Sequence, residues 1–129
     1  MPSLSFVNLF AKDVEALARF YTQVFGFSEA AEFRSPVFRA VNAGPCRIGI
    51  NGPQAYAILD LQAYAETKGV ATMITIAADS IAEVDRLTTN ALSAGGRVAK
   101  AAFRTGYGTY QAVIFDPEGH VVRINSPLR

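Results

Sequence analysis

The sequence is poor in the residues that most often announce a function. It has no tryptophan, one histidine and one cysteine in 129 residues. The lone Cys46 excludes an internal disulfide and suits a reducing compartment. Neither sign of charge dominates: 12 basic and 11 acidic side chains leave a formal +1. That removes the electrostatic case for a nucleic-acid partner or a membrane surface. Long apolar runs are missing, and Met1–Ser5 lacks a basic n-region. No membrane span and no signal peptide are therefore expected, and the expected location is the cytoplasm.

What remains is an ordinary globular chain. Half of it is apolar, enough to bury a core in one domain spanning 1–129. Leu4–Ala11 alternates as a strand, with Phe6, Asn8 and Phe10 on one face and Val7, Leu9 and Ala11 on the other. Asp13 sits where an N-cap belongs. Val14, Leu17, Ala18, Tyr21, Val24 and Phe25 then follow at helical spacing, and Gly26 stops the helix. Strands are expected near Ser28–Arg34, Val37–Asn42 and Cys46–Asn51.

A connector follows, with a short helix expected over Leu59–Glu66. Ala71–Ala78 is a strand. Ser80-Ile81-Ala82-Glu83 has the form of a capping box. Ile81, Val84, Leu87, Ala91 and Leu92 make the helical stripe, which Gly95-Gly96 ends. Strands are expected at Arg97–Phe103, Thr109–Phe115 and His120–Ser126. The last two are joined by Asp116-Pro117-Glu118-Gly119, whose residues suit a tight turn.

The two halves repeat one plan: strand, capped helix, glycine stop, three strands. The fold class is α+β, two βαβββ modules (4–51 and 71–126) joined by a connector (52–70). They are expected to form a curved mixed sheet with helices on its convex face.

Three pieces carry a family resemblance. They are Phe6–Asp13 leading into Phe20-Tyr21-Thr22-Gln23-Val24-Phe25-Gly26-Phe27, then Thr72–Asp79 with its helix and Gly-Gly, and finally Asp116-Pro117-Glu118-Gly119-His120-Val121-Val122-Arg123-Ile124. In this order the chain resembles the vicinal oxygen chelate superfamily, which includes glyoxalase I, extradiol dioxygenases and bleomycin-resistance proteins. One fold hosts many functions, so the resemblance does not fix the chemistry.

The resemblance implies four metal-ligand positions, on the first, fourth, fifth and eighth strands. Matched by motif, they fall on Phe6, near Gly49, on Met73 and on Arg123. Phenylalanine and glycine offer no donor, and a guanidinium repels the ion. A thioether suits copper(I) better than zinc, iron or manganese. No metal and no other cofactor is expected. His120, beside the turn, is expected to be an exposed strand-end residue.

Period-two alternation gives the residues that would line the concave face. They are Phe6, Asn8 and Phe10; Arg47, Gly49 and Asn51; Met73 and Thr75; Val121, Arg123 and Asn125. Phe38, Tyr56 and Tyr110 are further aromatic candidates for stacking. The set is aromatic, amide and guanidinium, with no carboxylate to act as general acid or base. It suits a planar aromatic, anionic small molecule, held bidentately by Arg123 or Arg47. Phenazine-like carboxylates suit it better than bleomycin, which is a cation.

Bland readings stand beside this one. Phe6 and Phe10 can fill a collapsed core. Arg123 can bridge to Glu29 or Glu32. Tyr56 can be a surface or interface residue.

The expected function is a metal-independent, antibiotic-sequestering type of binding protein. The alternatives are a metal-dependent glyoxalase-like lyase or ring-cleaving dioxygenase, and a purely structural member. The resemblance also implies a homodimer.

Overall fold

The computed structural model describes residues 1–66 and 68–128. Thr67, within the expected connector, and Arg129 lie outside the described residues. The chain forms two compact units, Met1–Gly69 and Val70–Arg129. Strands pair within their own unit, as two four-stranded mixed sheets ordered β1-β4-β3-β2 and β5-β8-β7-β6.

The first unit holds β1 (Phe6–Phe10), α1 (Val14–Phe25), β2 (Ser28–Glu29), β3 (Phe38–Asn42), β4 (Arg47–Asn51) and α2 (Gln54–Ile58). Asp13 caps α1 as expected, its carboxylate accepting from the Ala16 N–H at 3.0 Å. Gly26 ends the helix with φ +73°, in the left-handed region that glycine adopts without strain. α1 packs on β2, β3 and β4. Leu17, Val41 and Ile50 are essentially sealed from solvent beneath it.

Two expectations in this unit need correcting. Only Ser28 and Glu29 of the expected strand Ser28–Arg34 pair with β3. Ala31–Phe33 turn instead as a 3-10 helix, and Arg34 folds back onto Glu29 with two hydrogen bonds of 2.7 and 2.8 Å. The expected helix Leu59–Glu66 is also absent. α2 lies earlier, following Pro53, and a separate 3-10 turn covers Gln62–Tyr64. Between them Asp60 takes φ +57°, which breaks a continuous helix.

The second unit holds β5 (Ile74–Ala77), α3 (Ile81–Ser93), β6 (Arg97–Arg104), β7 (Thr109–Phe115) and β8 (Val121–Pro127). Ser80 caps α3 by accepting from the Glu83 N–H at 3.1 Å. Glu83 reaches back to the Asp79 N–H at 3.0 Å, one residue before the group a capping box uses. α3 packs on β6, β7 and β8, over Val84, Ile114, Val122 and Ile124. Leu92 does not join this stripe; it is 47% exposed. β5 starts three residues later than expected, which leaves Met73 ahead of the strand. Among the described residues no helix is long and apolar enough to cross a membrane.

Candidate functional site

Partners in register share a face of a sheet, so pairing shows what each sheet presents away from its helix. In the first unit the rows are Phe6–Arg47–Asn42, Asn8–Gly49–Ala40 and Phe10–Asn51–Phe38. The rows carry aromatic rings, amides and one guanidinium. Phe6 meets Phe33 edge-on at 5.4 Å and Phe38 at 6.3 Å. The Arg47 guanidinium lies 5.1 Å from the Phe33 ring centre and 5.8 Å from that of Phe6. Its Nε donates to the Asn42 side chain at 3.0 Å, which fixes the plane of the fork. Tyr56, carried by α2, stacks on Phe10 at 4.4 Å and 14°. The Asn51 amide donates to the Asn8 side chain and to the Leu9 carbonyl, both at 3.3 Å. Phe33 is not among the expected site residues; the 3-10 turn over Ala31–Phe33 brings it against Phe6.

In the second unit the rows are Thr75–Arg123–Val113–Lys100, Ala77–Asn125–Gln111–Phe103 and Val121–Phe115–Arg97. Arg123 Nε donates to the Thr75 hydroxyl at 3.1 Å. Lys100 Nζ lies 3.9 Å from the Phe103 ring centre, and the Arg97 guanidinium lies 4.7 Å from that of Phe115. None of these rows contains a carboxylate. Gln111 is 4% exposed, and its amide is satisfied by the Tyr107 and Thr109 hydroxyls at 2.8 and 3.1 Å. Lys100, Phe103, Arg97 and Gln111 escaped the sequence reading. Alternation within Thr109–Phe115 could have found Gln111, but the register shifts of β6 hide Lys100 and Phe103 from it.

Two expected site residues, Tyr110 and Met73, are placed differently, and so is His120, expected only as an exposed strand-end residue. Tyr110 pairs with Ser126 on the opposite face, toward α3. There its hydroxyl donates to Asp85 at 2.7 Å, and that bond raises the phenol above its ordinary value. Met73 is 45% exposed ahead of β5, so no strand register holds it on the face. His120 is half-buried rather than exposed: its Nδ1 sits 2.8 Å from Asp116, which is buried.

Glu29 belongs to a different feature. A cavity of about 470 Å³ lies on the helix side of the first sheet, lined by Glu15, Arg19, Glu29, Arg34 and Arg39 among others. Both Glu29 oxygens are taken by Arg34 of the same unit. The Arg34 hydrogen bonds hold the Glu29 carboxyl below its ordinary value, although burial pushes it up. A lowered folded value stabilises above the ordinary 4.5 and is lost as pH falls through it. Arg34→Ala should therefore lower the melting temperature at neutral pH. Thermal melts taken well below 4.5 should show the gap to wild type closing; an unchanged gap there would contradict this account.

A family model for the glyoxalase/bleomycin resistance protein/dioxygenase superfamily matches residues 3–124. The chain belongs to this superfamily. The crystal structure of a glyoxalase/bleomycin resistance protein/dioxygenase family enzyme from Burkholderia phytofirmans PsJN is 42% identical, with a TM-score of 0.96 over 98% of this chain and 100% of that one. A hypothetical protein from S. aureus is 25% identical, with a TM-score of 0.83 over 98% and 94%. A lactoylglutathione lyase from Agrobacterium tumefaciens is 24% identical, with a TM-score of 0.72 over 96% and 92%, a likeness of fold. No protein of curated function matches.

Superfamily membership raises the question of a divalent ion. The residues do not fit one. Phe6 offers no donor and packs against two other rings, Met73 lies outside the strand, and Arg123 is a cation bonded to a hydroxyl. Gly49 carries no donor, and a Cβ there would overlap the Asn8 amide oxygen and lie 2.9 Å from Phe38 Cζ, so both side chains would have to move to admit one. Among the described residues, no three His, Cys, Asp or Glu side chains gather as a metal would require.

Proposed function

We propose that this superfamily member binds a planar aromatic, anionic small molecule without a metal, as a sequestering protein does. The observation that carries the reading is Arg123. It stands where the metal-dependent members place a carboxylate. Its Nε is used by a neutral hydroxyl, and its sheet rows present no competing carboxylate. A guanidinium in that setting keeps donors for a ligand carboxylate or phenolate. Rings on the same sheet, Phe103 and Phe115, supply apolar area beside the charge.

The test is calorimetry with biphenyl-4-carboxylate and phenazine-1-carboxylate, in chelator. Binding should be tighter than millimolar. Arg123→Ala should weaken it roughly 10- to 100-fold, as expected for a charged hydrogen bond. Absence of binding across both probes, or indifference to Arg123→Ala, would overturn the reading. So would stoichiometric zinc, nickel, iron or manganese retained by the purified protein after dialysis. That result would instead favour a glyoxalase-like lyase or a ring-cleaving dioxygenase.

A further inference from the structure

The second sheet holds two cations in one cross-strand row. Thr75, Arg123, Val113 and Lys100 are consecutive partners across β5, β8, β7 and β6. Arg123 and Lys100 are thus two strand spacings apart, about 10 Å at the backbone. Their side chains are held differently. Arg123 leans to β5, where its Nε meets Thr75, while Lys100 rests its ammonium on Phe103 of its own strand. The apolar Val113 lies between them, and Phe103 flanks the row on β6. The result is an apolar strip with a cation at each end.

From this row we infer that the ligand is a dianion, an elongated aromatic whose two negative groups lie at opposite ends. It lies across the strands, one end on Arg123 and the other on Lys100, with its ring over Val113. The inference rests on the proposed anion-binding reading and makes it narrower. A single anion needs only Arg123; two well-separated anions use the row. Lys100 on Phe103 is poised for this, since a cation over a ring keeps its remaining N–H groups available to an incoming acceptor.

Three probes separate the possibilities by calorimetry on the intact chain. These are biphenyl-4-carboxylate, biphenyl-4,4′-dicarboxylate with charges at opposite ends, and biphenyl-2,2′-dicarboxylate with charges close together. The 4,4′ dianion should bind at least about tenfold tighter than the monoanion, a fold-change typical of one further charged hydrogen bond. The 2,2′ dianion should show no such gain. Lys100→Met should bring the ratio of the monoanion and 4,4′-dianion affinities close to one, and Lys100→Arg should keep it. Lys100 is exposed, so neither variant puts the fold at risk.

Equal affinity for the monoanion and the 4,4′ dianion in wild type overturns the inference and leaves the anion-binding reading standing. An equal gain with the 2,2′ dianion also overturns it, since bulk charge attraction then suffices. Failure of all three probes to bind overturns the inference, and failure of phenazine-1-carboxylate as well overturns both.

Discussion

Replacing Asp116 by alanine should destabilise the protein by about 3 kcal/mol. The reason lies in one oxygen. Asp116 Oδ1 accepts the Glu118 N–H at 2.9 Å and the His120 N–H at 3.0 Å, and the His120 ring sits against the same carboxylate at 2.8 and 3.0 Å. The residue is 1% exposed, so water cannot replace it without opening the turn. Each partly buried donor left without a partner costs about 1–3 kcal/mol. Backbone pairing from Asp116 N–H to the His120 carbonyl, at 2.9 Å, depends on the same loop shape. Gly119 completes it with φ +93°. Asp116→Asn should cost much less, about 1 kcal/mol, because a carbonyl oxygen still accepts both N–H groups. Urea denaturation with an unchanged slope checks both. An alanine variant as stable as the asparagine one would show that the side chain does not hold the turn.

That turn shows why some of the molecule was readable and some was not. Asp-Pro-Glu-Gly announces a turn by residue type alone, as Asp13 and Gly26 announce the ends of α1, because local chemistry decides these places. The faces of β1, β4 and β8 were equally legible. Aliphatic residues alternate there with a polar set, and slipping by one residue would bury that set. The misses share a different cause. Arg34 turning back to pair with Glu29 ends β2 early, and no alternation pattern encodes that contact. Tyr110 was assigned by its aromatic character rather than by register with Ser126, and register sends it to α3. His120 reads as an exposed strand end in the sequence, whereas its ring folds back onto the turn's own first residue. β6 was hardest to read. Its pairing with β7 shifts between Val98 and Lys100 and again between Lys100 and Phe103, so strict alternation cannot assign Lys100 and Phe103 to one face. Each sheet face is thus half visible from sequence: Phe6, Phe10 and Arg47 stand out on the first and Arg123 on the second, while Phe33 on the first and Lys100 and Phe103 on the second need the fold.

Gly49→Ala should destabilise the protein by about 2 kcal/mol, even though alanine normally suits a strand better than glycine. Gly49 is buried in the middle of β4 between Asn8 and Ala40 in register. A methyl group there would overlap the Asn8 amide oxygen and lie 2.9 and 3.0 Å from the Phe38 ring. Asn8 would have to turn away from Asn51, which donates to it at 3.3 Å. Phe38 would have to shift within a cluster that also contains Phe6, 6.3 Å away. Overpacking of this kind typically costs about 1–3 kcal/mol. Gly49→Glu, which would put a carboxylate near the matched fourth-strand position, should cost at least as much and yield no ion site. The neighbours that block the methyl also give the test. In an Asn8→Ala/Phe38→Leu background the overlapping atoms are gone, so Gly49→Ala should be nearly neutral there. Equal cost in the two backgrounds, measured by urea denaturation, would mean that close packing is not what keeps this position glycine. If the packing account holds, this sheet is closed to a metal ligand at its centre by two neighbouring side chains as well as by the missing donor.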